Sequence, residues 1–265
     1  MCKKVNKQKN KGDGNSQQTI NGNVIVNGLT PQEAVSVVNK LFYDNFPKLV
    51  EEAKQTVNDR INEIESSLLK AFDDNKITDF SAFKRPDVQY SVLELEKTYA
   101  KYGNNDLLNL LTKLVITRIS TATTNKIGFA LDMAMQLANK LSSADLDFLS
   151  LTFVSKMVRF GEVVQGDLNS VCNCYNDIAN VLDVNNFDSF EFLQSLNCFC
   201  IDLASSQARI SKTYGVDESA LKKQLSNKYD FVPHDYQLTY PATILAIINL
   251  ETKTTRKFNL STWIR

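Results

Sequence analysis

The chain reads as a mostly α-helical protein, a helical bundle or irregular α-helical array with a short β-hairpin or β-arch segment at its N-terminal end. Three observations predict this. Only nine Gly and five Pro occur in 265 residues, and most of the chain is left uninterrupted for helices to propagate. Apolar residues recur through it at the three- and four-residue spacing of one buried helix face. The exception is Gly12 to Gly28, where Thr19, Val24, Ile25 and Val26 alternate with Asn and Gly; β-branched side chains suit a pleated surface, and Gly and Asn suit turns.

Three structures compete for that head. Asn21-Gly22 is a strong hairpin signal, because a type I′ turn needs positive φ at both central residues, and it would pair Gln17–Ile20 with Asn23–Val26. An isolated two-stranded hairpin is marginal in water, so a third partner is required, either the chain's own helices or a second copy. Read differently, Ile20-Asn21-Gly22 and Val26-Asn27-Gly28 are turns of a six-residue quasi-repeat that could stack between copies on Asn and Gln ladders. The third reading is a solvated tail. Under the stacking reading the self-association residues are Gln18, Ile20, Asn21, Gly22, Val24, Val26, Asn27 and Gly28.

Ahead of the head, Lys3, Lys4, Lys7, Lys9 and Lys11 form a basic arm without an acid. Such an arm can follow a phosphate backbone, but its commoner role is to keep a sticky neighbour soluble. Over the whole chain, thirty basic and thirty acidic residues cancel, so no global field draws it to nucleic acid or membrane. Met1 to Gly14 has no apolar core of a signal peptide, Cys2 is no lipobox, and the longest apolar run, Ala242 to Leu250, is about half of the roughly 20 residues a membrane span needs. With five cysteines and no export signal, free thiols in a reducing cytoplasm are expected rather than disulfides.

Three regions follow: residues 1–28, the basic tail and head; 29–72, a helical hairpin with a long amphipathic helix; and 87–265, an α-helical domain. Thr30-Pro31-Gln32-Glu33 marks a helix start, with Thr30 as N-cap, Pro31 at the first helical position and Glu33 closing a capping box. Ala34, Val37, Val38, Leu41 and Phe42 give this helix one apolar face to about Asn45, and Pro47 opens the next. There Leu49, Ala53, Val57, Ile61, Ile64, Leu68 and Ala71 recur at near-heptad spacing, a coiled-coil stripe that suits an intramolecular partner or a second subunit. After a polar break over Asp73 to Pro86, helices are expected at about 87–102, 106–121, 125–141, 143–159, 169–182 and 188–204, with Gly103 as a C-cap and Ser142 as an N-cap. A last helical piece starts at Asp217, Tyr240 to Thr252 is apolar enough to be buried, and Trp263 near the chain end should dock into the core.

No motif states a reaction. Cys172, Cys174, Cys198 and Cys200 invite a four-thiolate metal site, but residues two apart on a helix diverge, and Cys172 continues the apolar face of Leu168, Val171, Tyr175 and Ile178. His234 is the sole histidine, so any Cys/His or Ser/His catalysis would have to use it. Asp183 to Glu191 fails as a calcium loop, and Gly12-Asp13-Gly14 lacks the third Gly of a dinucleotide site. Glu94 with Glu96 and Asp145 with Asp147 read as solvated charge on polar faces. No catalytic, metal or cofactor residue is assigned.

Pro86-Asp87-Val88-Gln89-Tyr90-Ser91-Val92-Leu93, Tyr99-Ala100-Lys101-Tyr102-Gly103-Asn104-Asn105-Asp106-Leu107, Leu137 to Arg159, Asn45 to Ala53 and the ending Asn259-Leu260-Ser261-Thr262-Trp263-Ile264 resemble an uncharacterised bacterial helical family with a Gly/Asn/Gln head. The head is also similar to short amyloid-type signalling motifs that precede helical effectors in microbial immunity, although Gln17-Gln18-Thr19-Ile20 departs from the best-known tetrad. The stretch after Leu238-Thr239 resembles abortive-infection proteins. Those resemblances imply homotypic signalling, with antiphage defence as a setting. The expectation is a non-enzymatic, self-assembling or protein-interaction protein, a homo-oligomer through the head or the long helix. Against it stand an enzyme using His234 or a thiol, and a nucleic-acid or chaperone-like adaptor using the lysine arm.

Overall fold

The computed structural model describes residues 19–20, 23–24, 31–77, 81–120, 125–201 and 206–264, with side chains from Val50 onward except those of Asn125, Ser206 and Gln207. The lysine arm, Cys2, Gln18, Asn21, Gly22, Val26, Asn27, Gly28 and the Thr30 cap lie outside these residues, as do the side chains of Ile20, Val24 and the Ala34 to Phe42 face. Among the described residues the protein is mostly helical, with eleven α-helices. It divides into two units, with the boundary between Asn58 and Asp59.

In the first unit, β1 (Thr19–Ile20) and β2 (Asn23–Val24) pair antiparallel, with Thr19 opposite Val24 and Ile20 opposite Asn23. The helix α1 (Pro31–Asp74) begins here and is continuous over 44 residues. The turn expected between Asn45 and Pro47 is therefore absent, and residues 29–72 contain one long helix instead of a helical hairpin. An interior proline deletes the hydrogen bond to the carbonyl four residues back and costs about 3 kcal/mol. In a helix this long, the bonds on either side carry it through. From Glu51 to Asp59 every residue is exposed.

The second unit holds the core. Ile64 of α1 is buried, and Ile61 and Leu68 pack against the core beside it. Thus the heptad stripe does find an intramolecular partner in its C-terminal part. Arg60 Nη1 donates to the Ala100 carbonyl at 2.5 Å, Tyr99 donates its hydroxyl to Glu63, and the Ser67 and Thr112 hydroxyls meet at 3.0 Å. These partners lie on α2 (Pro86–Tyr102) and α3 (Asn105–Ser120). Gly103 closes α2 at φ +62°, its N–H returning to the Tyr99 carbonyl, as its place in the sequence predicts. A Cβ there would also run into the Arg60 guanidinium. Gly103→Ala is accordingly expected to lower stability by about 1–2 kcal/mol, from left-handed strain and the displaced arginine, measured by urea unfolding; an unchanged midpoint would contradict this account of the turn.

The helix α5 (Ser143–Met157) is buried continuously from Asp145 to Lys156, and α10 (Tyr240–Lys253) from Pro241 to Leu250. Helices sealed on all sides belong at the centre, and α10 packs along α5, α4 (Asn125–Ala138) and α3. Ser142 caps α5 through a capping box completed by Asp145. Beyond it come α6 (Leu168–Val181), α7 (Phe190–Ser195), α8 (Ser206–Tyr214), α9 (Glu218–Gln224) and α11 (Leu260–Trp263). The helix expected over 188–204 stops at Ser195. Asn197 takes φ +58°, and β3 (Phe199–Ile201) then pairs antiparallel with β4 (Tyr236–Leu238). Here the strand preference of Phe199 and Ile201 prevails, because a partner strand satisfies the backbone.

Candidate functional site

Two regions carry the chemistry and the surfaces worth weighing. The first is α1 before Asn58. Val50, Ala53, Lys54, Val57 and Asn58 line a shallow groove of about 420 Å³, and Val57 is 39% exposed. Ala53 and Val57 belong to the same heptad stripe whose later members, Ile61, Ile64 and Leu68, pack in or against the core. The stripe thus continues in the sequence beyond its buried part, with apolar side chains left in solvent.

The second lies where the turn after α5 approaches the tail after α10. Glu162 forms an ion pair with Arg256, and between them sits Cys174 of α6, its thiol donating to Glu162 Oε1 at 3.7 Å and accepting from Arg256 Nη2 at 3.4 Å. The Arg256 guanidinium lies 4.4 Å from the centre of the Phe160 ring. Its hydrogen bond holds the Glu162 carboxyl below the usual range, whereas burial pushes the Cys174 thiol up to about 11. At neutral pH Cys174 is therefore a protonated donor and a weak nucleophile. Burial similarly raises Cys172, and Cys198 to about 12. Cys200 is exposed, with its thiol facing the Gln237 carbonyl at 3.6 Å. Among the described residues no group of three or more His, Cys, Asp or Glu side chains could hold a metal ion.

His234 is exposed and contributes through its backbone: its carbonyl accepts from the buried Lys156 Nζ at 2.6 Å. The reading of Asp145 and Asp147 as solvated charge is wrong. They are 0% and 1% exposed. Asp145 Oδ1 accepts from the Asp188 N–H at 2.8 Å, besides its capping role. Asp147 accepts from the Asp183 N–H at 2.7 Å, from Asn249 Nδ2 at 2.8 Å and from Lys253 Nζ at 2.5 Å. Asn249 Nδ2 also reaches Ser150 Oγ at 2.9 Å. These two carboxylates tether the 182–189 loop to the central helix, which a local reading misses because Lys253 and Asn249 are distant in sequence.

A third charged group joins α2, α3 and α4. Arg118 is 5% exposed and pairs with Asp87 at 3.0 Å and Asp132 at 3.3 Å. A hydrogen bond from Arg85 lowers Asp87, and burial raises Asp132. Cations and acids balance, and Asp132 is 47% exposed, so the cluster reads as an ionic clasp between helices with only its central arginine buried.

No described helix is long and apolar enough to cross a membrane. A family model matches residues 28–232, well over half of the chain, and describes an uncharacterised family. No curated protein and no solved structure matches the chain.

Proposed function

The chain belongs to that uncharacterised family, and from this premise we propose that it is a non-enzymatic protein-interaction protein that associates with further copies of itself through the head and the exposed stripe of α1. The observation that carries the reading is the solvent-facing run of Ala53 and Val57 beside Val50, in register with a stripe that packs against the core after Asn58. An apolar heptad seam gains its stabilisation only when a second helix fills it. A second copy supplies an identical seam at no cost in further sequence, giving a two-fold interface. The β1–β2 pairing adds a short two-stranded element that needs a partner for its own stability. Assembly-triggered signalling, with antiphage defence as its setting, is the biological role proposed on the head's resemblance.

Two substitutions in the full chain test this. Val57→Lys is expected to dissociate the assembly by setting a charge in the seam, with thermal stability changed by no more than about 0.5 kcal/mol, since the position is on the surface of the subunit. Val26→Lys is expected to weaken assembly while helical circular dichroism stays the same, because a head that stacks between copies excludes a charge from its dry contact. If Val57→Lys leaves the assembly intact, the seam is not its interface. If Val26→Lys instead lowers the melting temperature of a monomer, the head packs on the chain's own helices.

A further inference from the structure

The turn after α5 and the tail after α10 enclose a groove of about 350 Å³, lined by Val158, Arg159, Phe160, Gly161 and Glu162 on one side and by Arg256, Lys257, Phe258 and Trp263 on the other. The proposed self-association assigns it no role. Its volume falls at the lower end of small-molecule sites. Three of its lining side chains are aromatic, and two of these are held firmly: Phe258 and Trp263 stand edge-on to the buried Phe153, at 5.4 Å and 5.1 Å between ring centres. Both remain partly exposed, so ring surface is left to contact a ligand.

The charge around these rings is predominantly positive. Arg159, Arg256 and Lys257 line the groove together with a single acid, Glu162. Glu162 is taken up by Arg256. A second acid beside the groove, Glu251, lies 3.4 Å from Lys257 and also accepts the Phe258 N–H at 2.8 Å, which fixes the turn that presents both residues. That lysine side chain is 78% exposed, so the pair is weak and open to exchange. Arg159 is exposed and has no ion-pair partner among the described residues. Its backbone neighbours are fixed, since the Val158 carbonyl accepts from the Tyr175 hydroxyl at 3.1 Å and the Phe160 N–H donates to the Tyr214 hydroxyl at 2.6 Å.

We propose that this groove binds a small planar aromatic anion, whose ring contacts Phe258 and Trp263 and whose phosphate or carboxylate group lies against Arg159 and Lys257. Aromatic walls accept a flat ring with little regard to its substituents, while cations at the rim select for negative charge. Arg256 is the positioning residue, held over Phe160 by its bonds to Glu162 and Cys174.

Trp263 is the only tryptophan in the chain, so its fluorescence reports on this groove directly. The full chain is titrated with adenosine monophosphate, 4-hydroxyphenylacetate, adenosine and inorganic phosphate, following Trp263 emission and, in parallel, heat of binding. At least one of the two aromatic anions is expected to give a saturable change at least about tenfold tighter than adenosine or phosphate. Arg159→Gln and Lys257→Gln are each expected to weaken that binding by about tenfold, the effect of one charged hydrogen bond. Absence of saturation by both aromatic anions overturns the proposal. So does equal binding of adenosine or of phosphate alone, or an affinity unchanged in both variants while circular dichroism shows them folded.

Discussion

Asp147→Ala is expected to lower the stability of the folded chain by about 3–5 kcal/mol, the range for breaking a buried ion pair by removing one partner. The carboxylate is almost fully buried and accepts from Lys253, Asn249 and the Asp183 N–H. Its loss leaves three donors without this acceptor. Lys253 can turn outward, since its side chain is 28% exposed, but the other two are fixed by α10 and by the 182–189 loop. At about 2–4 °C per kcal/mol for a domain of this size, the melting temperature should fall by about 6–20 °C. Asp147→Asn keeps one acceptor and should lose less. Urea unfolding followed by circular dichroism gives the comparison, and a loss below about 1 kcal/mol for the alanine variant would show that the cluster is dispensable.

Phe153→Ala should be similarly costly, about 3–5 kcal/mol, the usual result of removing a fully buried phenyl ring from a core that cannot collapse around the space. Its second effect is more diagnostic. Phe153 is the ring against which both Phe258 and Trp263 stack edge-on, so the tail loses its seat before the rest of the fold melts. Trp263 emission should shift to the red under conditions where the helical signal is still native. An emission maximum unchanged in the folded variant would mean that the tail is held by other contacts, among them the buried Ile264.

Helices 86–102, 105–120, 125–138, 143–157 and 168–181 were legible in the sequence to within a few residues, and for 240–252 the burial was legible. Their apolar spacing and their caps at Gly103 and Ser142 are local signals that packing did not need to override. The docking of Trp263 was legible for a similar reason, since a large amphipathic ring near a chain end is rarely left in water. Two signals misled. Pro47 reads as a helix breaker, but its cost is a single bond and a local clash, which a long helix absorbs. Cys198 to Ile201 continues the helical pattern of α7 yet holds an aromatic and a β-branched residue that suit a strand, and the contest is decided by Tyr236–Leu238, some forty residues on.

The polar interior was not legible at all. Asp145 and Asp147 lie near the start of an apparently ordinary helix, where acids are favoured by the dipole whatever else they do. Their burial depends on a loop and on α10, whose partner groups are far away in the chain. The groove at Arg159 and Trp263 shares that limit, because its two walls come from segments separated by about a hundred residues. By contrast, the heptad stripe of α1 was plain, and the structure divides it: packed after Asn58, solvent-exposed at Ala53 and Val57 before it.

Self-association is the claim on which the proposed function rests, and the mass of the full chain in solution tests it most directly. Light scattering across a size-exclusion peak, over a range of loading concentrations, should give at least twice the 29.9 kDa chain mass, reverting to the single-chain value for Val57→Lys. A full-length protein that stays at the mass of one chain at every concentration would contradict the account.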